Sequence, residues 1–374
     1  MNNNKQDWTR RKFIETISVA GTALVFNPFT SWAGNDADQK VKRIIAKTIG
    51  IDTHNHMDMP YKIDDFKNQN YNFSTEMKMS GLTAICMTFS VDRPKLNNEG
   101  EAYERFLANL NEMDEVLRAN NLTRALNYTD LKNARKNNKQ IIIQAVEGGH
   151  FIEGKLERIQ TAYNRGLRVL GLMHDGQTTP AIGDIYTDEP QYGGLTQLGI
   201  DIIKECNKLG ILIDLTHCNK QAISKAVEIS TKPMLISHTG LNSQLGTNEK
   251  MAKMMMPRLI SKEQAKFFAD TGGIIGIWTH LADTPLDYAK NIRAMVDIVG
   301  TEHVCLGTDT KIAPAINSND RFEKKTNQSW ENKTNEGFYY LVADAMLKIG
   351  FTEKEIIQIG GGNYCRIFDK ATGI

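Results

Sequence analysis

Two histidines stand one residue apart near the start of the chain, in the stretch IDTHNHMD at residues 51–58. His54 and His56 follow an apolar run, and on a β-strand the side chains of residues i and i+2 project to the same face. The two imidazoles could therefore hold one metal ion of the zinc type. A chance cluster of polar residues where a strand enters a loop would look the same, so the pair needs support from other residues.

That support comes from the ends of other apolar runs. Eight runs rich in β-branched residues can be picked out, and seven of them end in a His, Glu or Asp. These end residues are His54 and His56, Glu147, His174, His217, His238, His280 and Asp309. A lone histidine at a strand end is more often a satisfied polar residue than a ligand, but seven runs that end in this way are hard to assign to chance.

The eight runs alternate with longer helix-like segments, and this alternation predicts parallel β/α units. Eight such units in roughly 270 residues match the size of a single-domain (β/α)8 TIM barrel, an α/β fold. A doubly wound open sheet is the alternative, but it gives no reason for polar residues at the run ends. In a barrel, the carboxyl ends of the strands converge on the face that carries the active site, so these residues would meet.

The meeting residues suggest a pair of metal ions. A carboxylate with two oxygens can bridge two ions, and such a pair can hold a hydroxide and polarise a carbonyl group. Glu147, in VEGGH, is the natural bridge, because the two glycines after it leave room where backbone passes close to the site. We expect His54 and His56 to hold one ion, and His217 and His238 to hold the other.

Two further residues are left for the chemistry of a hydrolysis. Asp309 is the candidate proton acceptor from the nucleophilic water, and His174 is the candidate that stabilises the oxyanion formed on the attacked carbonyl. His150 and His280 are interpreted as cavity-lining or supporting residues rather than ligands. His303 precedes the last run, at its opposite end from Asp309, and is interpreted as structural.

Composition limits the partners. Lys and Arg total 45 against 44 Asp and Glu, so no basic surplus indicates nucleic acid or a membrane surface, and a small ligand is expected. The five cysteines are scattered, with no C-x-x-C spacing, and are interpreted as small buried hydrophobic residues rather than as a zinc ribbon or redox pair. Because their number is odd, at least one free thiol is expected.

The first 34 residues are interpreted as an export signal. Arg10 and Arg11 precede an apolar stretch at residues 17–26, and that stretch is shorter than the roughly 18 residues needed to span a bilayer. The pattern resembles a bacterial twin-arginine signal with cleavage after Ala33, although an ordinary secretory signal is the alternative. The mature protein, residues 35–374, would then be periplasmic or otherwise extracytoplasmic, with no stable membrane span.

Several blocks of the chain together resemble one known family. They are IDTHNH, VEGGH, LGLMHD, the long block from Gly194 to His217, PMLISHTG, the block beginning PRLIS, HVCLGTDT and IGGGNYCRIF. The chain resembles the membrane dipeptidase (renal dipeptidase) family of zinc peptidases, peptidase family M19, within the amidohydrolase-like group of metal-dependent barrels. The resemblance covers essentially the whole mature chain.

The resemblance implies two zinc ions bridged by Glu147, with the second ion bound by His217 and His238. It also assigns His174 to the scissile carbonyl or the tetrahedral intermediate, and Asp309 to proton transfer and the substrate amine. Arg258 falls where the family has an arginine that binds the terminal carboxylate of the substrate, a role suited to a two-pronged guanidinium. The family further implies a small peptide substrate, acceptance of a D residue at its C-terminal position, and a homodimer.

One position departs from the family pattern. The family usually has His-x-Asp where this chain has His54-Asn55-His56, so an imidazole replaces an anionic ligand of the first metal site. The first ion could still bind, bind more weakly, or be lost. We expect it to bind, because the other site residues are all present.

Two other functions stay open on the sequence alone. One is a binuclear metallohydrolase acting on another amide, a lactone or an ester, and the other is a non-catalytic exported binding protein with a vestigial metal site.

The polar segment at residues 310–335 follows the last run and would either lie over the mouth of the barrel or form an ordinary surface loop.

Overall fold

Parallel strands alternate with helices in the computed structural model, which describes residues 36–57, 72–312, 330 and 337–373. The strands are β1 (Ile51–His56), β2 (Ala84–Ser90), β3 (Ile141–Glu147), β4 (Leu167–Gly171), β5 (Leu212–Asp214), β6 (Leu235–Thr239), β7 (Ile274–Ile277), β8 (Val304–Leu306) and β9 (Thr310–Lys311). The α-helices are α1 (Asp36–Lys47), α2 (Phe73–Met79), α3 (Glu101–Ala119), α4 (Tyr128–Lys136), α5 (Glu157–Asn164), α6 (Gln197–Leu209), α7 (Lys220–Ile229), α8 (Glu249–Met255), α9 (Lys262–Asp270), α10 (Pro285–Val299), α11 (Phe338–Lys348), α12 (Glu353–Ile357) and α13 (Asn363–Thr372). Short 3₁₀ turns lie at Gly149–Ile152, Met256–Arg258 and Thr301–His303.

The strands form one parallel sheet that follows the chain order from β1 to β8, with β9 on the other side of β1. The segment that leaves β8 also reaches β1, because the Asp309 backbone N–H donates to the His54 carbonyl over 3.2 Å. The sheet thereby closes on itself. Each of the eight apolar runs contains one of the strands β1–β8, so the predicted (β/α)8 barrel is confirmed.

The interior of the barrel can be read from β3, all of whose residues are buried. Ile141, Ile143 and Ala145 pack in the cluster that fills the barrel, while Ile142 and Val146 pack in the cluster under the helices. Because strand side chains alternate faces, Glu147 projects into the barrel above Ala145. The same interior is narrow: a Cβ atom on Gly307 would lie 1.8 Å from a backbone oxygen of another strand.

The helix before β5 shows how sequence fixes the surrounding layer. Thr196 caps the start of α6 by accepting from the Gly199 backbone N–H, and Gly210 ends it in a left-handed conformation with φ of 79°. Ile202 and Ile203 are fully buried on its inner face. The chain can therefore turn directly from α6 into β5.

Contacts divide the chain into residues 1–39 and Lys40–Ile374, and the barrel lies in the second unit. The predicted export signal, residues 1–34, lies outside the described residues, as does most of the polar segment at residues 310–335. In the described part of the chain, no helix combines the length and the apolar character needed to cross a membrane. All five cysteines are buried and free, as predicted.

Candidate active site

The barrel brings all eight predicted site residues to the carboxyl ends of the strands. His54, His56 and His238 lie within β1 and β6, and Glu147 is the last residue of β3. His174, His217 and Asp309 each come three residues after a strand ends, and Arg258 ends the 3₁₀ turn after α8. His280 also follows its strand by three residues.

Glu147 lies at the centre of the imidazole rings and is 4 % exposed. Its Oε1 atom is 2.8 Å from His217 Nε2, 3.5 Å from His54 Nε2 and 3.7 Å from His238 Nε2. Its Oε2 atom is 3.4 Å from His174 Nε2 and 4.0 Å from His56 Nε2. Burial raises the pKa of Glu147, but the surrounding imidazoles lower it by more, so that the pKa lies well below its usual value. The central carboxylate is therefore an anion.

The donors fit a metal centre. Three sets of side chains have potential ligand atoms within 4.8 Å of one another: His54, Glu147 and His238; His54, His56 and Asp309; and Glu147, His174 and His217. Among the described residues, His54 Nε2 and Glu147 Oε2 are buried without a hydrogen-bond partner, which is costly unless another group satisfies them. Imidazole and carboxylate donors suit zinc-like ions. The site is thus a candidate binuclear metal centre bridged by Glu147.

The predicted division of ligands is only partly visible in these sets. His54 and His56 occur together in one set, with Asp309, as expected for one ion. His217 and His238 both approach Oε1 of Glu147, yet they do not share a set.

Asp309 adopts a left-handed backbone conformation, with φ of 53°. Its carboxylate lies 2.8 Å from His56 Nε2 and 3.4 Å from His280 Nε2. Burial raises its pKa, but His238, His280 and His56 lower it to well below the usual value. The Asp309 carboxylate is therefore an anion. Its unusual φ is a conformation that often marks functional positions.

His217 is held on both ring nitrogens and also has a positive φ, of 70°. Its Nδ1 atom is 2.7 Å from the Tyr186 hydroxyl and 3.2 Å from Asp175 Oδ1, while Nε2 faces Glu147. Burial lowers the pKa of His217, but the hydrogen bonds to Asp175 and Glu147 raise it to about 10. A carboxylate behind a ligating histidine is the usual way to fix its ring and tautomer.

His174 is oriented by a residue that the sequence analysis missed. Both carboxylate oxygens of Asp92 lie close to His174 Nδ1, at 2.8 and 2.9 Å. Each side chain is 8 % exposed. This leaves His174 Nε2 turned towards Glu147, 3.4 Å from its Oε2 atom.

Arg258 and a second arginine share one carboxylate. Asp175 Oδ2 accepts from Arg258 Nη2 over 3.0 Å and from Arg93 Nη2 over 2.5 Å. The Arg258 guanidinium also lies 5.8 Å from the centre of the Tyr186 ring, which stacks on His217. Arg258 is therefore linked to the metal centre through Asp175 and Tyr186.

Three other residues support the site. His150 Nε2 donates to the Gly176 carbonyl over 2.9 Å, which agrees with its interpretation as a supporting residue. Gly148 has φ of 89°, and a Cβ atom on it would lie 2.5 Å from the His150 ring, so the predicted need for glycine after Glu147 is met there. Asp52 accepts from the backbone and hydroxyl of Thr308 and ties β1 to the segment that carries Asp309.

A pocket of about 240 Å³ opens beside the metal centre. His217, His238, Tyr186 and Arg258 line it, together with apolar side chains that include Leu215, just after β5, and Ile236, in β6. No Asp or Glu lies among its lining residues, within the described part of the chain.

Comparisons with known proteins agree with this geometry. The family described as membrane dipeptidase (peptidase family M19) matches residues 38–374. An uncharacterized dipeptidase of Schizosaccharomyces pombe is 28% identical over 180 residues, which is 47% of this chain and 42% of that protein.

Two solved structures share the fold. An amidohydrolase from Pseudomonas aeruginosa has a TM-score of 0.71 and 21% identity, covering 89% of this chain and 99% of that one. A metallo peptidase from Rhodobacter sphaeroides, liganded with a phosphinate mimic of the dipeptide L-Ala-D-Ala, has a TM-score of 0.65 and 17% identity, covering 87% of this chain and 99% of that one. The family match spans nearly the whole described chain, and the chain therefore belongs to the membrane dipeptidase family of metallopeptidases, peptidase family M19.

Proposed function

We propose that this protein is a zinc-dependent dipeptidase, which cleaves dipeptides with a free C-terminal carboxylate and accepts a D residue at that end. The observation that carries the proposal is the buried Glu147 carboxylate, which lies within 4.0 Å of five imidazole rings, beside a pocket that contains Arg258. The bound L-Ala-D-Ala mimic of the Rhodobacter protein supports the choice of substrate.

His54 and His56 would hold one zinc ion and His217 and His238 the other, with Glu147 between them. Such a pair would supply a Lewis acid for the peptide carbonyl and a nucleophile from water at neutral pH. The replacement of the family's usual Asp by His56 removes one negative charge from the first site. The anionic Asp309, 2.8 Å from His56, keeps one negative charge beside this site.

The chain's own residues then handle the substrate. Arg258 binds the C-terminal carboxylate through its guanidinium group, and Asp309 accepts a proton from water and faces the substrate amine. His174, oriented by Asp92, donates from Nε2 to the oxygen that becomes negative as the carbonyl is attacked. Because charged groups meet both ends of the substrate, only a short peptide fits between them.

The test is hydrolysis of a panel of L-L and L-D dipeptides by the mature protein loaded with zinc. We expect turnover in the wild type and its loss in Asp309→Asn, and zinc content is measured on the same samples. Retained turnover in Asp309→Asn would contradict the role given to that carboxylate. No turnover of any dipeptide by a protein that holds two ions per chain would refute the proposed function.

Two measurements separate the alternatives. If the enzyme hydrolyses another amide, a lactone or an ester, Arg258→Met should leave hydrolysis of a neutral substrate unchanged, whereas a dipeptidase should lose most of its kcat/KM. If the protein is a binding protein with a vestigial site, metal analysis should find one ion or none per chain.

We also propose that the mature enzyme works outside the cytoplasm, on the strength of the twin-arginine pattern at Arg10 and Arg11. N-terminal sequencing of the protein from the periplasmic fraction of a bacterial host tests this. A start near residue 34 is expected, and an intact N-terminus in the cytoplasm would refute it. The homodimer implied by the family is tested on the same sample by light scattering.

A further inference from the structure

Two arginines converge on one carboxylate at the edge of the candidate active site. Arg93 Nη2 and Arg258 Nη2 lie 2.5 and 3.0 Å from the same atom, Asp175 Oδ2. Their nitrogen atoms can therefore be no farther apart than the sum of those two distances. The other oxygen of Asp175 faces His217 Nδ1, at 3.2 Å.

The charges in this group do not balance. Two guanidinium groups carry two positive charges, and Asp175 supplies one negative charge that it also shares with His217. Arg258 alone is already matched by Asp175, so a substrate carboxylate bound to Arg258 would be repelled by the carboxylate beside it. A second positive charge is needed to offset Asp175, and Arg93 supplies it.

The position of Arg93 is set by the loop after β2. Asp92, its neighbour in the chain, is fixed to His174, and Arg105 Nη1 donates to the carbonyls of Val91 and Pro94 on either side. The Arg93 side chain is nevertheless 66 % exposed, and its guanidinium group has five N–H donors, of which the Asp175 contact uses one. A ligand carboxylate can reach them.

We propose that Arg93 is a second carboxylate-binding residue, and that the C-terminal carboxylate of the substrate is bound between Arg93 and Arg258, next to Asp175. The inference rests on the proposed dipeptidase function and adds a specificity-determining residue to it. With the substrate bound, two carboxylates face two guanidinium groups. A peptide whose C-terminus is amidated leaves one positive charge unmatched and is discriminated against.

The test uses the zinc-loaded full protein and compares L-Ala-D-Ala with its C-terminal amide. In Arg93→Met we expect KM for the free acid to rise about 10-fold to 100-fold, from the loss of a hydrogen bond between charged groups, while kcat changes less than about threefold. The kinetics of the amide should change little. Arg93→Lys should restore part of the loss, since lysine keeps the charge but not the two-pronged geometry.

A matched control separates this role from a general effect of losing a surface charge. Arg43 pairs with Glu353 at the same distance of 2.5 Å and is 53 % exposed, away from the site. Exposed ion pairs of this kind contribute little to stability, so Arg43→Met and Arg93→Met should both fold normally. Arg43→Met should leave KM unchanged for both substrates.

The outcomes distinguish the inference from the proposed function. If the wild type cleaves no dipeptide, the proposed function fails and this inference fails with it. If the wild type is active and Arg93→Met shifts KM for the free acid no more than Arg43→Met does, only the inference is overturned. A fall in kcat with unchanged KM would also overturn it, because a carboxylate anchor acts on binding.

Discussion

Removal of the Asp92 carboxylate should slow catalysis without emptying the metal centre. Asp92 contacts the ring nitrogen of His174 that faces away from Glu147, at 2.8 Å, and both side chains are 8 % exposed. To donate to an oxyanion from Nε2 while Nδ1 faces Asp92, His174 needs a hydrogen on both nitrogens. The buried Asp92 carboxylate stabilises the resulting positive charge.

The size of the effect follows from this contact. A hydrogen bond to a charged group contributes about 1.5–3 kcal/mol, and each 1.36 kcal/mol is about tenfold in rate. If that energy is expressed in the transition state, kcat of Asp92→Asn should fall by about 10-fold to 150-fold, with KM changed much less. Asp92→Glu should recover part of the rate.

The assay is steady-state hydrolysis of L-Ala-D-Ala across the pH range, with zinc content measured on each sample. Asp114→Asn is the matched control, since Asp114 also pairs with buried or half-buried cations, Arg124 at 2.6 Å and Arg165 at 2.8 Å, but lies away from the site. A wild-type kcat in Asp92→Asn would refute the reasoning. A loss of zinc in that variant would mean that Asp92 acts by supporting the metal centre and not by orienting His174.

Three further predictions concern the metal centre and its support. Glu147→Gln should lower the zinc content from two ions per chain to one or none, measured by metal analysis after dialysis, because the bridging carboxylate is lost. His56→Asp should tighten the weaker zinc site by about tenfold or more in a calorimetric titration, since an anionic ligand replaces a neutral one, and should lower the Tm of chelator-treated protein, because the new carboxylate lies beside Asp309. Burial lowers the pKa of His150, so the unfolded chain takes up a proton near the ordinary histidine pKa of about 6.5 before the folded chain does. The free energy of unfolding should therefore fall as pH drops below about 6.5, and urea titrations should show a shallower fall for His150→Gln; equal slopes would contradict this.

The parts of the fold that could be predicted are those that produce a repeating pattern of apolar residues in the sequence. A strand buried on both faces must be almost continuously apolar, so β3 and its neighbours stand out in the sequence. The count of such runs fixes the barrel, and the barrel brings together the end residues of runs far apart in the chain. Glu147 could therefore be named as the centre of the site before any contact was known.

The residues that escaped prediction lie in the loops. Asp92 comes two residues after β2 ends, and β2 is the one run for which no His, Glu or Asp was named at its end. Asp175 directly follows His174, and only His174 was named as the end residue of that run. Tyr186 lies in the long connection between β4 and α6. Loop backbones follow tertiary contacts rather than a period, so the sequence gives no spacing from which these partners could be paired.

The missed residues Asp92 and Asp175 lie in the loops after β2 and β4, and this location suggests which groups of the site act on substrate and which bind metal. Consecutive residues of the loop after β2 pair with consecutive residues of the loop after β4: Asp92 with His174, and Arg93 with Asp175. These pairs hold the groups assigned to the oxyanion and the substrate carboxylate, while the strands and their immediate ends hold the groups assigned to the metal ions. Since β2 also pairs with β3 so that Ser90 lies opposite Glu147, the two parts of the site share one rigid edge. Substitutions at Asp92 or Arg93 should therefore change kcat or KM with metal content intact, whereas substitutions at Glu147 should remove both activity and metal.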